Sequence, residues 1–256
     1  MSRFGHLEFD DQSGEEHQAP VTRTDEANCL AEARGFFEDA EFEKALRAYS
    51  KALEFNPHSR DAWTGQVRSL IELGEFREAA LWSDKALEQF PNEAELLAVK
   101  AVALARSGDL EEAIALSDAA IEQRGDAACV WLARGDVLLA RREKRAEYCL
   151  EKALALARGD WLITWLAARI RFYYQQFALA MKLLQTLLET NGGRAVLWVE
   201  LGACQFELGL AGAAERSFAQ ARQLKPDGRA ARRPVRGRKL GLRRRLVGWW
   251  RRIFST

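Results

Sequence analysis

The chain has 256 residues, 48% of them hydrophobic, and a formal charge of +1 at pH 7. Its apolar content suffices for a substantial core, and five prolines with abundant Ala, Leu, Glu and Arg point to helix. No apolar run approaches the roughly eighteen residues that a membrane-spanning helix needs, and the N-terminus lacks the pattern of a secretory signal. Cys29, Cys129, Cys149 and Cys204 are too scattered for a disulfide framework or a zinc knuckle, which predicts reduced thiols in a cytoplasmic chain.

Residues 1–25 are polar and slightly acidic, and their composition predicts disorder. Phe4, Leu7 and Phe9 are their only clustered apolar residues, a short candidate docking motif. A 34-residue period follows. Gly74-Glu75-Phe76-Arg77-Glu78-Ala79 repeats as Gly108-Asp109-Leu110-Glu111-Glu112-Ala113, and Pro57 and Pro91 lie at the same spacing. The tail Lys51-Ala52-Leu53 returns as Lys85-Ala86-Leu87 and Lys152-Ala153-Leu154. Six units result, at about 26–59, 60–93, 94–127, 128–160, 161–194 and 195–228. The fourth is one residue short, and its inter-helix turn, Arg141 to Arg145, lacks the usual glycine.

The sixth unit reads Trp198, Leu201-Gly202, Gly209, Ala214, Phe218, Ala221 and Pro226, and Trp63 and Trp131 occupy the phase of Trp198. This pattern resembles the tetratricopeptide repeat over residues 26–228. Units one, two and five depart at the Leu-Gly pair, with Glu32-Ala33, Gln66-Val67 and Ala167-Ala168. The resemblance implies an all-α, right-handed superhelical solenoid of about six antiparallel helix pairs. Small residues such as Ala33, Ala101, Gly135, Ala168 and Gly202 would let paired helices approach, and stacked units would bury one continuous core.

Sites for chemistry are not evident. His6, His17 and His58 have no Cys or acid at ligand spacing, no phosphate-binding glycine loop occurs, and no serine sits in a nucleophile elbow. The expectation is a non-enzymatic chain with no cofactor, metal or small-molecule substrate. In the family that the repeats resemble, the first helices of successive repeats line a concave groove. Carried over by phase, its positions here include Arg34, Arg68, Asp136 and Arg169, beside Trp165 and, further along the fifth repeat, Phe172 and Tyr173. These seven are the candidate contacts for a protein or peptide partner, with Arg68 and Arg169 as carboxylate anchors. The clamp by which some relatives grip chaperone C-termini is missing, since its positions hold Leu30, Arg34, Gly65, Glu95 and Val99.

After residue 228 there are eleven basic residues and no acid, so the other 27 basic residues face all 37 acids, a formal −10. Residues 229–239 read as an Arg-rich linker. Within 240–256, Leu242, Leu246, Trp249, Trp250 and Ile253 share a helical face, with arginines mostly opposite, which predicts a basic amphipathic helix. Arg243, Arg244, Arg245, Trp249, Trp250, Arg251 and Arg252 would meet an anionic membrane, the solenoid itself or, less favoured, nucleic acid. The sequence thus predicts a cytoplasmic adaptor, with attachment to the inner face of a membrane as the alternative.

Overall fold

The computed structural model describes residues 23–226. All regular structure among them is helical: α1 (Arg23–Glu38), α2 (Phe42–Phe55), α3 (Arg60–Leu73), α4 (Phe76–Gln89), α5 (Ala94–Ser107), α6 (Leu110–Arg124), α7 (Ala128–Ala140), α8 (Ala146–Ala157), α9 (Trp161–Tyr173), α10 (Phe177–Asn191), α11 (Ala195–Glu207) and α12 (Ala211–Leu224). Short turns join them into six hairpins, the all-α repeat architecture expected from the 34-residue period. The chain divides into two compact units, one through Asn191 holding α1–α10 and one from Gly192 holding α11 and α12. The predicted linker 229–239 and amphipathic helix 240–256 lie outside the described residues.

The helices differ in how much of their surface they bury. In α2, Phe42, Ala45, Leu46, Tyr49, Ala52 and Leu53 recur at helical spacing and form one buried face. In α5, Ala94, Leu96, Leu97, Ala98, Val99, Ala101, Val102, Ala103 and Ala105 are all buried, so that helix is enclosed on nearly every side.

One turn geometry closes the first helix of each repeat. Ala40, Gly74, Gly108, Arg142, Gln175 and Gly209 all have positive φ, between +57° and +106°. Each donates its backbone N–H to the carbonyl three residues back, and the next residue donates to the carbonyl five back. This is the Schellman closure, which satisfies carbonyls that the helix end leaves without partners.

The tryptophans that share a phase share a bond. The indole N–H groups of Trp63, Trp131 and Trp198 donate to the carbonyls of Pro57, Gly125 and Gly192 at 2.7, 2.7 and 2.8 Å. Each ties a first helix to the junction that precedes it. Close approach within hairpins depends on missing side chains. A Cβ at Gly135 would stand 2.6 Å from the Leu150 side chain, and one at Gly202 would stand 2.7 Å from the Phe218 ring. In the second repeat the first helix carries Val67 at this position, and the register position of Leu150 and Phe218 is the small Ser83.

Candidate functional site

The first-helix arginines are used to tie repeats together. Arg34 on α1 pairs with Asp61 at the start of α3. One repeat on, Arg68 on α3 reaches Glu95 at the start of α5, 3.3 Å away. Cys129 lies beside the Arg68–Glu95 pair, and burial pushes its thiol up. Arg34 and Asp61 are both more than half exposed, so their pair adds little stability. Arg68 is only 28% exposed, and its charge is engaged by Glu95.

The fifth repeat carries a stripe at i, i+4 spacing on α9: Trp161, Trp165, Arg169 and Tyr173. Trp165 is wholly buried. It stacks on Trp161 at 5.8 Å and on Phe42 at 6.4 Å, and meets Phe37 edge-on at 6.2 Å. Arg169 lies over the Phe42 and Trp165 rings, its guanidinium carbon 4.7 and 5.2 Å from their centroids. Its Nε donates to Oε2 of Glu72 at 2.8 Å, across 97 residues of sequence. Tyr173 meets Phe76 edge-on at 6.1 Å, and the Arg106 guanidinium lies 4.2 Å from its ring centroid. One face of α9 thus runs along the inter-helix turns of repeats one, two and three.

A buried polar cluster continues this contact. Asp136, on α7, is 1% exposed and pairs with the Arg106 guanidinium, Nη2 to Oδ2 at 2.5 Å. The Tyr174 hydroxyl donates to Asp136 Oδ1 at 2.7 Å. Burial pushes the Tyr174 phenol up, and the Asp136 carboxylate pushes it further. Burial opposes the charge of Arg106, yet Asp136 holds the pKa of Arg106 above its usual value. A removed partner here would strand a buried charge, so the three groups act as one unit. Beside them Arg171 grips Glu147 through both carboxylate oxygens, at 3.1 and 2.6 Å, and donates to Gln176 Oε1 at 2.7 Å.

These contacts assign the seven groove candidates. Trp165 and Asp136 are interior residues with no surface to offer a partner in this conformation, because α9 lies against the turns of earlier repeats. Arg169 and Arg68 are not free anchors, since Glu72 and Glu95 take their charge. Phe172 is half-buried and packs on Phe177 at 5.2 Å. Tyr173 is half-buried, and Arg34 keeps most of its surface. The tail candidates Arg243, Arg244, Arg245, Trp249, Trp250, Arg251 and Arg252 lie outside the described residues. Repeat phase alone did not single out Glu72, Arg106 or Trp161. Trp161 is signalled by its position four residues before Trp165, whereas the partners of Glu72 and Arg106 carry no local signal.

Among the described residues no three His, Cys, Asp or Glu side chains converge as a metal site, and no helix is long and apolar enough to cross a membrane. Burial pushes the Cys204 thiol up to about 12, which leaves it un-ionised at neutral pH.

Residues 36–103 match the profile of the tetratricopeptide repeat family. Among curated proteins none matches the chain. The solved structures most like it include a thermophilic tetratricopeptide repeat protein of Thermus thermophilus. That match has a TM-score of 0.54 and 24% identity, and covers 71% of this chain and 99% of the other. A tetratricopeptide repeat protein from Parabacteroides merdae matches with a TM-score of 0.51 and 17% identity over 83% of each chain. A chain of the Cut9–Hcn1 hetero-tetramer matches with a TM-score of 0.50 and 15% identity, over 80% of this chain and 41% of the other. The profile match, the hairpins closed by one recurring turn and the solved structures agree: residues 36–103 carry the tetratricopeptide repeat profile, and the described helices share the fold of tetratricopeptide repeat proteins.

Proposed function

We propose that this chain is a non-enzymatic scaffold that holds a protein or peptide partner through its repeat surface. The observation that carries the reading is the repeat architecture itself. Six hairpins recur at near-constant spacing along the chain and present side chains at regular intervals, an arrangement suited to extended recognition. That a similarly folded chain occurs in a hetero-tetramer with another protein supports it. Of the predicted groove residues, Arg34, Arg68, Phe172 and Tyr173 retain surface and are the proposed contacts. The test is affinity capture from native lysate with wild-type chain and with Arg34→Glu/Arg68→Glu. Loss of specific partners from the variant is expected. An unchanged partner set moves the contact elsewhere, and capture of no partner by the wild type removes the scaffold reading.

A second reading rests on the tail. The helical spacing of Leu242, Leu246, Trp249, Trp250 and Ile253 in the sequence, with arginines between them, is the pattern that suits the boundary of an anionic membrane. The scaffold would then act at a membrane surface. Nucleic-acid binding by the same arginines is less favoured, because phosphate contact has no use for an apolar stripe.

A further inference from the structure

The turn of the fourth repeat lacks one identifiable side chain. In the other five turns, the alanine in the first turn of the second helix donates its backbone N–H to a carbonyl four residues back: Ala45 to Glu41, Ala79 to Glu75, Ala113 to Asp109, Ala180 to Gln176 and Ala214 to Leu210. In the fourth, Ala146 donates to Glu143, three residues back. The missing residue therefore lies between Glu143 and Ala146. The other turns have Phe42, Phe76, Leu110, Phe177 and Ala211 directly after the accepting residue, whereas Glu143 is followed by Lys144. The larger four pack inward. Phe42 lies 5.3 Å from Phe37, Phe76 lies 6.1 Å from Tyr173 and Phe177 lies 5.2 Å from Phe172, while Leu110 joins the cluster of Ala101, Ala113 and Val137.

Beside this shortened turn, residues of the fourth and fifth repeats' turns line a cleft of about 760 Å³. Leu139 and Tyr173 form apolar parts of its lining, and Arg142 and Lys144 contribute cations. The lining acids are already neutralised. Glu143 is held by Arg141 and Arg145, and Glu147 by Arg171. Arg142 and Lys144 are exposed and have no ion-pair partner among the described residues. Arg142 also occupies, at φ +61°, the left-handed position that glycine fills in three other turns. The cleft thus combines the apolar surface of Leu139 and Tyr173 with two positive charges that no described acid takes up.

We propose that this cleft docks an acidic peptide segment carrying one Phe or Leu. The apolar side chain packs on Leu139 and Tyr173, and flanking carboxylates meet Arg142 and Lys144. This rests on the scaffold reading and names one partner chemistry for it. The test uses the full chain and a fluorescein-labelled heptapeptide, Asp-Glu-Asp-Phe-Asp-Glu-Asp, followed by fluorescence anisotropy. Saturable binding is expected, and about tenfold weaker binding when the peptide Phe is replaced by Ala or when the protein carries Arg142→Glu/Lys144→Glu. Both protein positions are on the surface, so circular dichroism should show an unchanged fold. Insertion of Phe between Glu143 and Lys144 restores the family turn and should remove binding. Absence of saturable binding, or equal affinity for the Ala peptide or the charge-reversed protein, overturns the proposal. If the charge-reversed chain still captures the wild-type partner set from lysate, the cleft is excluded and the scaffold reading survives.

Discussion

The Cδ2 methyl and Cγ of Leu150 lie where a side chain on Gly135 would begin, and this contact sets the separation of α7 and α8. Gly135→Ala should destabilise the chain by about 1–3 kcal/mol through overpacking, read from thermal denaturation. An unchanged midpoint would show that the two helices part freely. A second residue-scale effect concerns acid. The bidentate contact from Arg171 lowers the pKa of Glu147 below its ordinary 4.5. A depressed carboxylate contributes stability above its unfolded pKa and loses it as pH falls through the folded value. Urea midpoints compared at neutral pH and below pH 4.5 should therefore converge more in Glu147→Gln than in the wild type. Equal acid sensitivity of the two proteins would mean that this pair does not couple to folding. The Gly135 contact was legible, because the repeat resemblance marks small residues at that phase. The Arg171–Glu147 pair was not, since nothing local distinguishes these two among the charged residues.

At the scale of elements, α9 departs most from what repeat phase predicts. Phase places Trp165 and Arg169 on the groove-facing side of the fifth repeat. The structure fills that side with Phe37, Phe42 and Glu72 from the first two repeats. Arg169 and Glu72 are 20% and 11% exposed, so water screens them weakly. A double-mutant cycle with Arg169→Ala and Glu72→Ala should give a coupling energy of about 0.5–3 kcal/mol in urea unfolding. Strict additivity would show that α9 rests on the early repeats through its aromatic side chains alone. The recurring turn is the counterpart that sequence does encode. Its glycine positions were visible, and its Ala40, Arg142 and Gln175 versions follow the same backbone path without glycine.

For the molecule as a whole, charge separation is the feature most plainly written in the sequence. Residues 1–228 carry a formal −10, and all eleven later ionisable side chains are basic. If the tail serves as a membrane anchor, full-length chain should float with anionic vesicles, and a chain ending at residue 239 should remain at the bottom of the gradient. Retained flotation of the truncated chain would remove the membrane reading, and loss of binding at high salt would mark the electrostatic share.

The sequence by itself determined the helical class, the six-fold repetition, the phase of Trp63, Trp131 and Trp198, and the shortened fourth unit. Each of these is local, set by periodicity, turn residues and side-chain volume within one repeat or between neighbours. Only the tertiary structure decided which groove-phase side chains meet solvent. That depends on packing between repeats distant in sequence, which brings residues 97 positions apart into one ion pair. Repeat phase says which face a residue occupies. Packing between distant repeats decides that Trp165 and Asp136 face the interior, and the placement of two adjacent turns decides that a cleft lies open beside the shortened one.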